Sequence, residues 1–382
     1  MAIATGRVYA FFVTIARFAA SNIFGKTSMR IFVLFNLLVA AAAPIGAQSG
    51  RTKPTPTPPP NSISGPSVLS TPQVSLPSKT STAKPTPKVE TDDDVIKVES
   101  ALVPIPVSVL DSNGRSVGTL KLEDFELKID GKPVEIGELA RSETPIRLAM
   151  IFDNSSSVLI AREFEKQAAL RFFRRVIRPD RDMAALFSLA DYTRLEQPLT
   201  RDISLLTTAI ENFPEPKGAT ALLDGIIRVA EYLRSANGRR VIVILSDGED
   251  TYSELETTLE GVIKSLQVND CQVYVVKTKD FENYKRTGQR AGNANIRALT
   301  AERRMIEIAA QTGGAVYSPI DEDEMKDAFD RISAELSQQY VLSYYPENET
   351  EKRGEFRQIT LAVKGKQKLT TRTRKGYYVP KK

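Results

Sequence analysis

The sequence predicts an α/β fold with a doubly wound, mainly parallel sheet and helices on both faces, flanked by β sections that form a small sandwich-like domain. From Arg147 to about Gln339, apolar strand-like runs alternate with amphipathic segments, which is typical of βαβ units. The runs "IRLAMIFD" and "RRVIVILSDG" are almost continuously apolar. Such runs are expected of strands that are buried on both faces of a parallel sheet.

The elements of this region follow one another in a regular order. After the strand "IRLAMIFD" comes the helix "AREFEKQAALRFFRRVI", with Phe164, Ala168, Phe172 and Val176 on one stripe. The strand "DMAALFSLAD" precedes two helices, "RDISLLTTAIENF" and "TALLDGIIRVAEYLRSAN". The strand "RRVIVILSDG", the helix "ELETTLEGVIKSLQ" and the strand "CQVYVVKT" follow. A polar insertion then precedes the helix "AERRMIEIAAQTGG", the strand "AVYSPI" and the helix "DEDEMKDAFDRISAELSQQ".

The N-terminal segments predict export. Residues 1–47 end in "MRIFVLFNLLVAAAAPIGA", which has a positive residue, an apolar core and then small residues, the pattern of a secretory signal peptide. Met29 is a candidate for the true start, and an uncleaved N-terminal anchor is the alternative. Residues 48–94 are rich in Pro, Ser and Thr and are predicted to be a disordered linker.

Two β-like sections flank the α/β region, which spans residues 146–339. Residues 95–145 contain alternating apolar positions and the turn signals "SNGR" and "IDGK". Residues 340–382 return to β character in "QYVLSYYP" and "GEFRQITLAVKG". Neither section has enough strands for a core of its own. We expect them to pair with each other, although two separate β decorations are the alternative.

Composition excludes several function classes. Among 382 residues there is no histidine, and Cys271 is the sole cysteine. This excludes an internal disulfide, serine–histidine and cysteine–histidine nucleophiles and most zinc sites. The net charge of +5 is mild for this length, so the sequence does not predict a nucleic-acid partner.

Three predicted loops at carboxyl ends of strands or starts of helices carry oxygen-bearing side chains. They are "DNSSS", with Asp153, Ser155 and Ser157; "KGATALLDG", with Thr220; and "LSDGEDT", with Asp247. Ligands of open α/β sheets bind at the carboxyl edge. Carboxylates and hydroxyls without sulfur or imidazole suit Mg²⁺, Mn²⁺ or Ca²⁺.

Each of these features alone has a structural explanation. Ser and Asp are common in turns, Thr220 could be a helix N-cap, and Asp247 could be a turn residue before glycine. Occurrence of all three at predicted strand and helix ends favours a metal site. Asp224 and Asp250 are expected to lie outside the ligand set.

The five residues resemble the metal-ion-dependent adhesion site of the von Willebrand factor A domain, which has D-x-S-x-S, then a threonine, then an aspartate before glycine. Ser156 stands where the family often has glycine. "LEDFELKIDGK" upstream and "QQYVLSYYP" with "RKGYYVP" downstream are similar to a bacterial subgroup of exported proteins with this domain. The resemblance implies that Asp153, Ser155, Ser157, Thr220 and Asp247 hold Mg²⁺, or Mn²⁺ or Ca²⁺ instead.

The function implied is that of an exported, non-catalytic binding module in the periplasm, on the cell surface or outside the cell. The metal would bind an exposed Asp or Glu of a protein partner, and any membrane attachment would be the N-terminal anchor. One alternative is an envelope scaffold with a vestigial site. Another is a metal-dependent hydrolase, for which Glu249 or Asp250 would be the base.

Overall fold

The computed structural model of the protein describes residues 102–141, 143–156, 162–289, 295–346, 353–365 and 368–379. The predicted signal peptide and linker, and the predicted ligand Ser157, lie outside these residues.

Strands and helices of the described residues follow the chain in this order. The strands are β1 (Val103–Leu110), β2 (Phe125–Ile129), β3 (Lys132–Val134), β4 (Glu138–Arg141), β5 (Ile146–Asp153), β6 (Met183–Leu189), β7 (Thr193–Thr200), β8 (Arg239–Ser246), β9 (Cys271–Lys277), β10 (Val316–Tyr317), β11 (Tyr340–Tyr344), β12 (Phe356–Val363), β13 (Thr370–Thr373) and β14 (Gly376–Tyr378). The helices are α1 (Arg162–Val176), α2 (Ile203–Glu211), α3 (Leu222–Leu233), α4 (Leu259–Val268), α5 (Lys279–Thr287), α6 (Ile296–Thr312) and α7 (Glu322–Gln338).

A six-stranded sheet forms the centre of the α/β region, in the order β10-β9-β8-β5-β6-β7. All neighbours pair in parallel except β6 and β7, which are antiparallel. Buried side chains of α1, α2 and α7 pack on one face, and those of α3, α4 and α6 on the other. The predicted fold class is therefore confirmed.

Strand β5 shows why its sequence is almost continuously apolar. Leu148, Met150 and Phe152 enter the core on one face of the sheet, while Ala149 and Ile151 enter the core on the other. Successive side chains of a strand point to opposite faces. A strand between two helical layers must therefore be apolar at every position.

The sequence does not predict two elements of the α/β region. Strand β7 contains Pro198 and is mostly half-exposed, and its pairing with β6 shifts register near Leu186. Such irregularity is tolerated at a sheet edge and weakens the local strand pattern. Helix α5 is mostly polar; it begins directly after the predicted strand "CQVYVVKT" and runs into the predicted polar insertion.

Phe164 is a further correction. The stripe on α1 predicts it in the core, but it is 41% exposed. Its ring lies 5.9 Å from that of Phe281, between centroids, at the edge of the packed layer. The other three members of the stripe are buried.

The two flanking β sections pair with each other. β1 pairs with β11 and β13, and β2 pairs with β12, in all cases antiparallel. The resulting four-stranded sheets, β13-β1-β11-β4 and β14-β12-β2-β3, share a buried apolar cluster. Two separate β decorations are therefore excluded. Among the described helices, none is long and apolar enough to cross a membrane.

Candidate metal site

The ends of β5 and β8 bring Asp153 and Asp247 to the same edge of the sheet. The two strands are parallel neighbours, with Phe152 opposite Leu245. Asp153 is the last residue of β5, and Asp247 follows the last residue of β8, Ser246. The Ser246 hydroxyl donates a 2.5 Å hydrogen bond to Asp153 Oδ2. Both aspartates are buried.

The loop after β5, residues 154–156, contacts the loop before α3, residues 212–221. The backbone N–H of Lys217 donates to the carbonyl of Asn154 at 3.1 Å. The Ser156 hydroxyl donates to the carbonyl of Gly218 at 3.2 Å, and the Ser156 N–H donates to the same oxygen at 3.3 Å. Ser156, which stands where the family often has glycine, therefore joins the two loops.

The loop before α3 also contacts the loop after β8, residues 247–258. The Thr251 N–H donates to the Thr220 carbonyl at 2.8 Å, and the Thr220 N–H donates to Thr251 Oγ1 at 3.0 Å. The three loops that carry the predicted ligands therefore meet at one place. The structure brings Asp153, Ser155, Thr220 and Asp247 to this junction, and all four are buried.

Thr220 is not the N-cap of α3. Ala221 occupies the N-cap position and makes no side-chain capping bond. Instead, Asp250 Oδ1 accepts from the backbone N–H of Leu222 at 2.9 Å, as a capping carboxylate does. The structural explanation offered for Thr220 is thus wrong, and Asp250 supplies the cap from the neighbouring loop.

Asp224, which was expected outside the ligand set, holds the loop after β8. Its Oδ2 accepts from the Glu254 N–H at 2.9 Å, and its Oδ1 accepts from the Thr257 hydroxyl at 2.5 Å. Asp224 and Asp250 thus have structural roles in shaping the junction.

Electrostatics at Asp153 favour a cation. Burial and the nearby Asp247 carboxylate raise the pKa of Asp153 to about 6, although hydrogen bonds from Ser155 and Ser246 oppose the rise. The Ser155 N–H donates to Asp153 Oδ1 at 2.9 Å. Two buried carboxylates that repel each other are stabilised by a positive charge between them. This observation fits a divalent ion.

Chemistry of the donor set fits the same ion. Asp153, Ser155, Thr220 and Asp247 would hold it with hard oxygen atoms, as Mg²⁺, Mn²⁺ and Ca²⁺ prefer. The described ranges contain no group of three or more acidic, cysteine or histidine side chains arranged to hold a metal. This set has only two carboxylates. These two carboxylates balance the charge of a divalent ion, and the neutral hydroxyls add none, so a coordination position that the protein leaves open can accept an outside carboxylate.

Two further carboxylates interact electrostatically with the aspartates of the site. Glu165 of α1 is fully buried, and in the described part of the chain neither of its oxygens has a hydrogen bond. Burial, Glu282 and Asp153 hold its pKa well above the usual range. Burial and Asp247 raise the pKa of Glu282 to about 8. The raised pKa of each group favours the neutral acid, so both groups add less negative charge to the site than ordinary carboxylates would.

Lys279, at the start of α5, is the cation nearest to Asp247 in the described residues. Its Nζ atom lies 3.7 Å from Asp247 Oδ2 and 3.1 Å from Glu249 Oε1. Burial lowers the pKa of Lys279, but the Asp247 and Glu249 carboxylates outweigh it and the net change is upward. The ammonium is therefore charged.

The sequence does not identify four residues that contact or influence the site: Ser246, Glu165, Lys279 and Glu282. Ser246 had a local signal, since it is a hydroxyl at a strand end next to Asp247. Glu165 lies on α1, and Lys279 and Glu282 lie on α5, a helix that the sequence does not predict. Their proximity to the site follows only from tertiary packing.

Comparisons with known proteins identify the domain that contains these loops. Residues 148–331 match the family model of the von Willebrand factor type A domain. This region therefore forms a von Willebrand factor type A domain. A search of curated proteins found no match.

Several solved structures are similar to this chain. The PilB minor pilin from Streptococcus sanguinis matches with 14% identity and a TM-score of 0.39, over 55% of this chain and 63% of the pilin. An aerotolerance-related membrane protein from Bacteroides fragilis NCTC 9343 matches with 20% identity and a TM-score of 0.37, over 50% and 99% of the two chains. A von Willebrand factor type A protein from Catenulispora acidiphila matches with 12% identity and a TM-score of 0.41, over 67% and 74%.

Proposed function

We propose that this protein is an exported, non-catalytic binding module that uses a divalent ion to bind an acidic residue of a protein partner. The observation that carries the proposal is the junction of three loops around the buried pair Asp153 and Asp247. Burial and the Asp247 carboxylate raise the pKa of Asp153, so a positive charge beside the pair would stabilise it. Mg²⁺ is the first candidate, with Mn²⁺ and Ca²⁺ as substitutes.

An acidic partner follows from the coordination positions that the donor set leaves open. The ion would be held by two carboxylates and by neutral hydroxyls. Divalent ions of this class take six or more oxygen ligands. Part of the coordination shell is therefore left for water or for an incoming carboxylate. A carboxylate binds the ion more strongly than water does, because it is charged.

Exposed apolar side chains on the loops at this edge of the sheet support a protein partner. Tyr192 lies in the turn after β6, Tyr252 and Leu255 lie in the loop after β8, and Ile296 begins α6. All four are more than half exposed. Ile296 also lines a groove of about 380 Å³ with Glu249 and neighbouring residues. Exposed aromatic and aliphatic side chains around a polar centre are typical of protein interfaces.

The candidate bases of a hydrolase are already engaged. Glu249 Oε1 accepts from Lys279, and Asp250 Oδ1 accepts from Leu222 and from the Ser253 hydroxyl. The chain contains no histidine. A general base must reach the proton that it removes, so these contacts favour binding over hydrolysis.

Export is proposed from the sequence of residues 1–47, and residues 48–94 would tether the domain to its surroundings. Affinity capture from the native envelope, with Mg²⁺ and with chelator, tests the function. We expect capture of a partner in Mg²⁺, loss of that partner in chelator, and the same loss with Asp153→Ala in a folded domain. Capture that persists unchanged in chelator would contradict the proposal and favour a scaffold.

A further inference from the structure

Lys279 lies beside the candidate metal site, just after the carboxyl end of β9. β9 is the parallel neighbour of β8, with Lys277 opposite Ser246. The Thr278 N–H then donates to the Ser246 carbonyl at 3.0 Å. Lys279 is the next residue, so the backbone holds it beside Asp247.

The Lys279 ammonium shares two carboxylates of the loop after β8. Its Nζ atom donates to Glu249 Oε1 at 3.1 Å and lies 3.7 Å from Asp247 Oδ2. The Asp247 side chain is 2% exposed and that of Glu249 is 23% exposed. One carboxylate therefore belongs to the buried candidate site, whereas the other lies nearer to solvent.

We propose that Lys279 is a tethered cation that competes with the divalent ion for the Asp247 carboxylate and thereby lowers the metal affinity of the site. This inference rests on the proposed function and deepens it, since it names the residue that sets how strongly the ion is held.

Competition follows from charge and position. The Lys279 ammonium repels a divalent ion that is bound by Asp247. The repulsion is strong where little solvent screens it. The ammonium is part of the chain, so its local concentration does not fall when the solution is diluted. The ion must therefore displace the ammonium from Asp247 or bind against its charge.

Glu249 gives the displaced ammonium a second partner. Lys279 already donates to Glu249, and rotation of the flexible lysine side chain away from Asp247 would keep that bond. Competition by Lys279 then weakens metal binding without abolishing it. A lysine that served only as a structural ion pair would instead contribute equally with and without metal.

Mg²⁺ titration calorimetry on the full-length chain tests the inference with three variants. Lys279→Met removes the charge but retains most of the stem, and we expect it to bind Mg²⁺ on the order of tenfold more tightly than the wild type. Lys279→Arg retains the charge and should bind like the wild type. Lys285→Met is the matched control, because this lysine lies on the same helix with a similar exposure, 27% against 32%. It pairs with Glu322 and should leave the affinity unchanged.

Thermal unfolding in chelator and in saturating Mg²⁺ gives a second measurement. Lys279→Met should lower the midpoint in chelator, because Asp247 and Glu249 lose their counter-charge, and the deficit should shrink or reverse in Mg²⁺. An equal deficit in both conditions would indicate a merely structural ion pair and overturn the inference.

The outcomes separate this inference from the proposed function. If the wild type binds Mg²⁺ and Lys279→Met binds no more tightly, competition by Lys279 is wrong while the metal-binding function stands. If Lys279→Met alone binds Mg²⁺, competition is supported strongly. If no variant binds Mg²⁺, Mn²⁺ or Ca²⁺, the proposed function fails and the inference fails with it.

Discussion

The Ser246 hydroxyl donates its hydrogen bond to Asp153 Oδ2 across two neighbouring strands, within the buried floor of the candidate site. The same Ser246 oxygen accepts from the Gly248 N–H at 3.1 Å. One side chain therefore orients the carboxylate at the end of β5 and the turn that carries Asp247.

Replacement of Ser246 by alanine tests this double role. The change leaves a buried carboxylate without one of its donors, which typically costs about 1–3 kcal/mol. We expect a loss of that size in the free energy of unfolding, measured by urea denaturation in chelator, and weaker Mg²⁺ binding by calorimetry. Ser204→Ala, at an exposed hydroxyl that bonds to Asp202, should change neither by much. Unaltered Mg²⁺ affinity in Ser246→Ala would contradict the role assigned to Ser246.

Asp153→Asn should separate metal binding from stability. In the wild type, the pKa of Asp153 in the folded protein is about 6, above the ordinary aspartate value of 3.8, so the folded protein holds a proton that the unfolded chain loses. Stability without metal therefore falls as pH rises from about 4 to about 6 and stays lower above that range. In chelator at pH 8 we expect Asp153→Asn to be more stable than the wild type by on the order of 2 kcal/mol.

The same variant should lose most of its Mg²⁺ affinity, because a neutral amide replaces a charged ligand. Denaturation at pH 5 and pH 8, with a Mg²⁺ titration at pH 8, checks both effects. If the variant is less stable than the wild type in chelator at pH 8, the raised pKa assigned to Asp153 is wrong. Normal Mg²⁺ affinity would remove Asp153 from the ligand set.

Glu282→Gln should stabilise the protein at alkaline pH. The pKa of Glu282 is raised from 4.5 to about 8, first by burial and then by Asp247. The wild type thus loses stability as pH rises through this interval. The amide cannot ionise, so the variant should exceed the wild type by more than about 1 kcal/mol at pH 9, with a smaller difference at pH 5.

Denaturation curves in chelator across this pH range measure the difference, and Glu211→Gln, on the exposed side of α2, is the control. Surface changes of this kind are usually within about 0.5 kcal/mol. If the gap between Glu282→Gln and the wild type does not widen with pH, Glu282 is not buried as a proton-bearing acid.

Gly218→Ala should disturb the loop that carries Thr220. Gly218 has a φ of +85°, and an added Cβ would lie 2.5 Å from Asp191 Oδ1. Asp191 also accepts from the Ala219 N–H, so movement of either group shifts the loop. Gly131→Ala is the matched control, with a φ of +78° and no atom within 4 Å of the added Cβ.

The control should lose about 1 kcal/mol from backbone strain alone, and Gly218→Ala should lose more. Only Gly218→Ala should weaken Mg²⁺-dependent partner capture. Equal losses in both variants, with normal capture, would mean that this loop does not position the site.

Sequence alone determined the architecture and most of the candidate site. Strand-like runs that are apolar at every position require cover on both faces, as β5 shows with Leu148 on one side and Ala149 on the other. The order of strands places Asp153 and Asp247 at the carboxyl edge, because parallel strands end at the same edge. Ser157, the fifth predicted ligand, stays a prediction from the sequence pattern.

Tertiary structure alone decided which groups act on that site from a distance. Glu165 and Glu282 lie on helices that are far apart in sequence. Burial and nearby carboxylates raise the pKa of each. Lys279 reaches Asp247 because β9 lies beside β8, whereas its local sequence shows only a polar segment. Periodicity reports which face of an element is buried. It carries no information about which charged side chains come into contact when distant elements pack. Those contacts determine the electrostatics of the site.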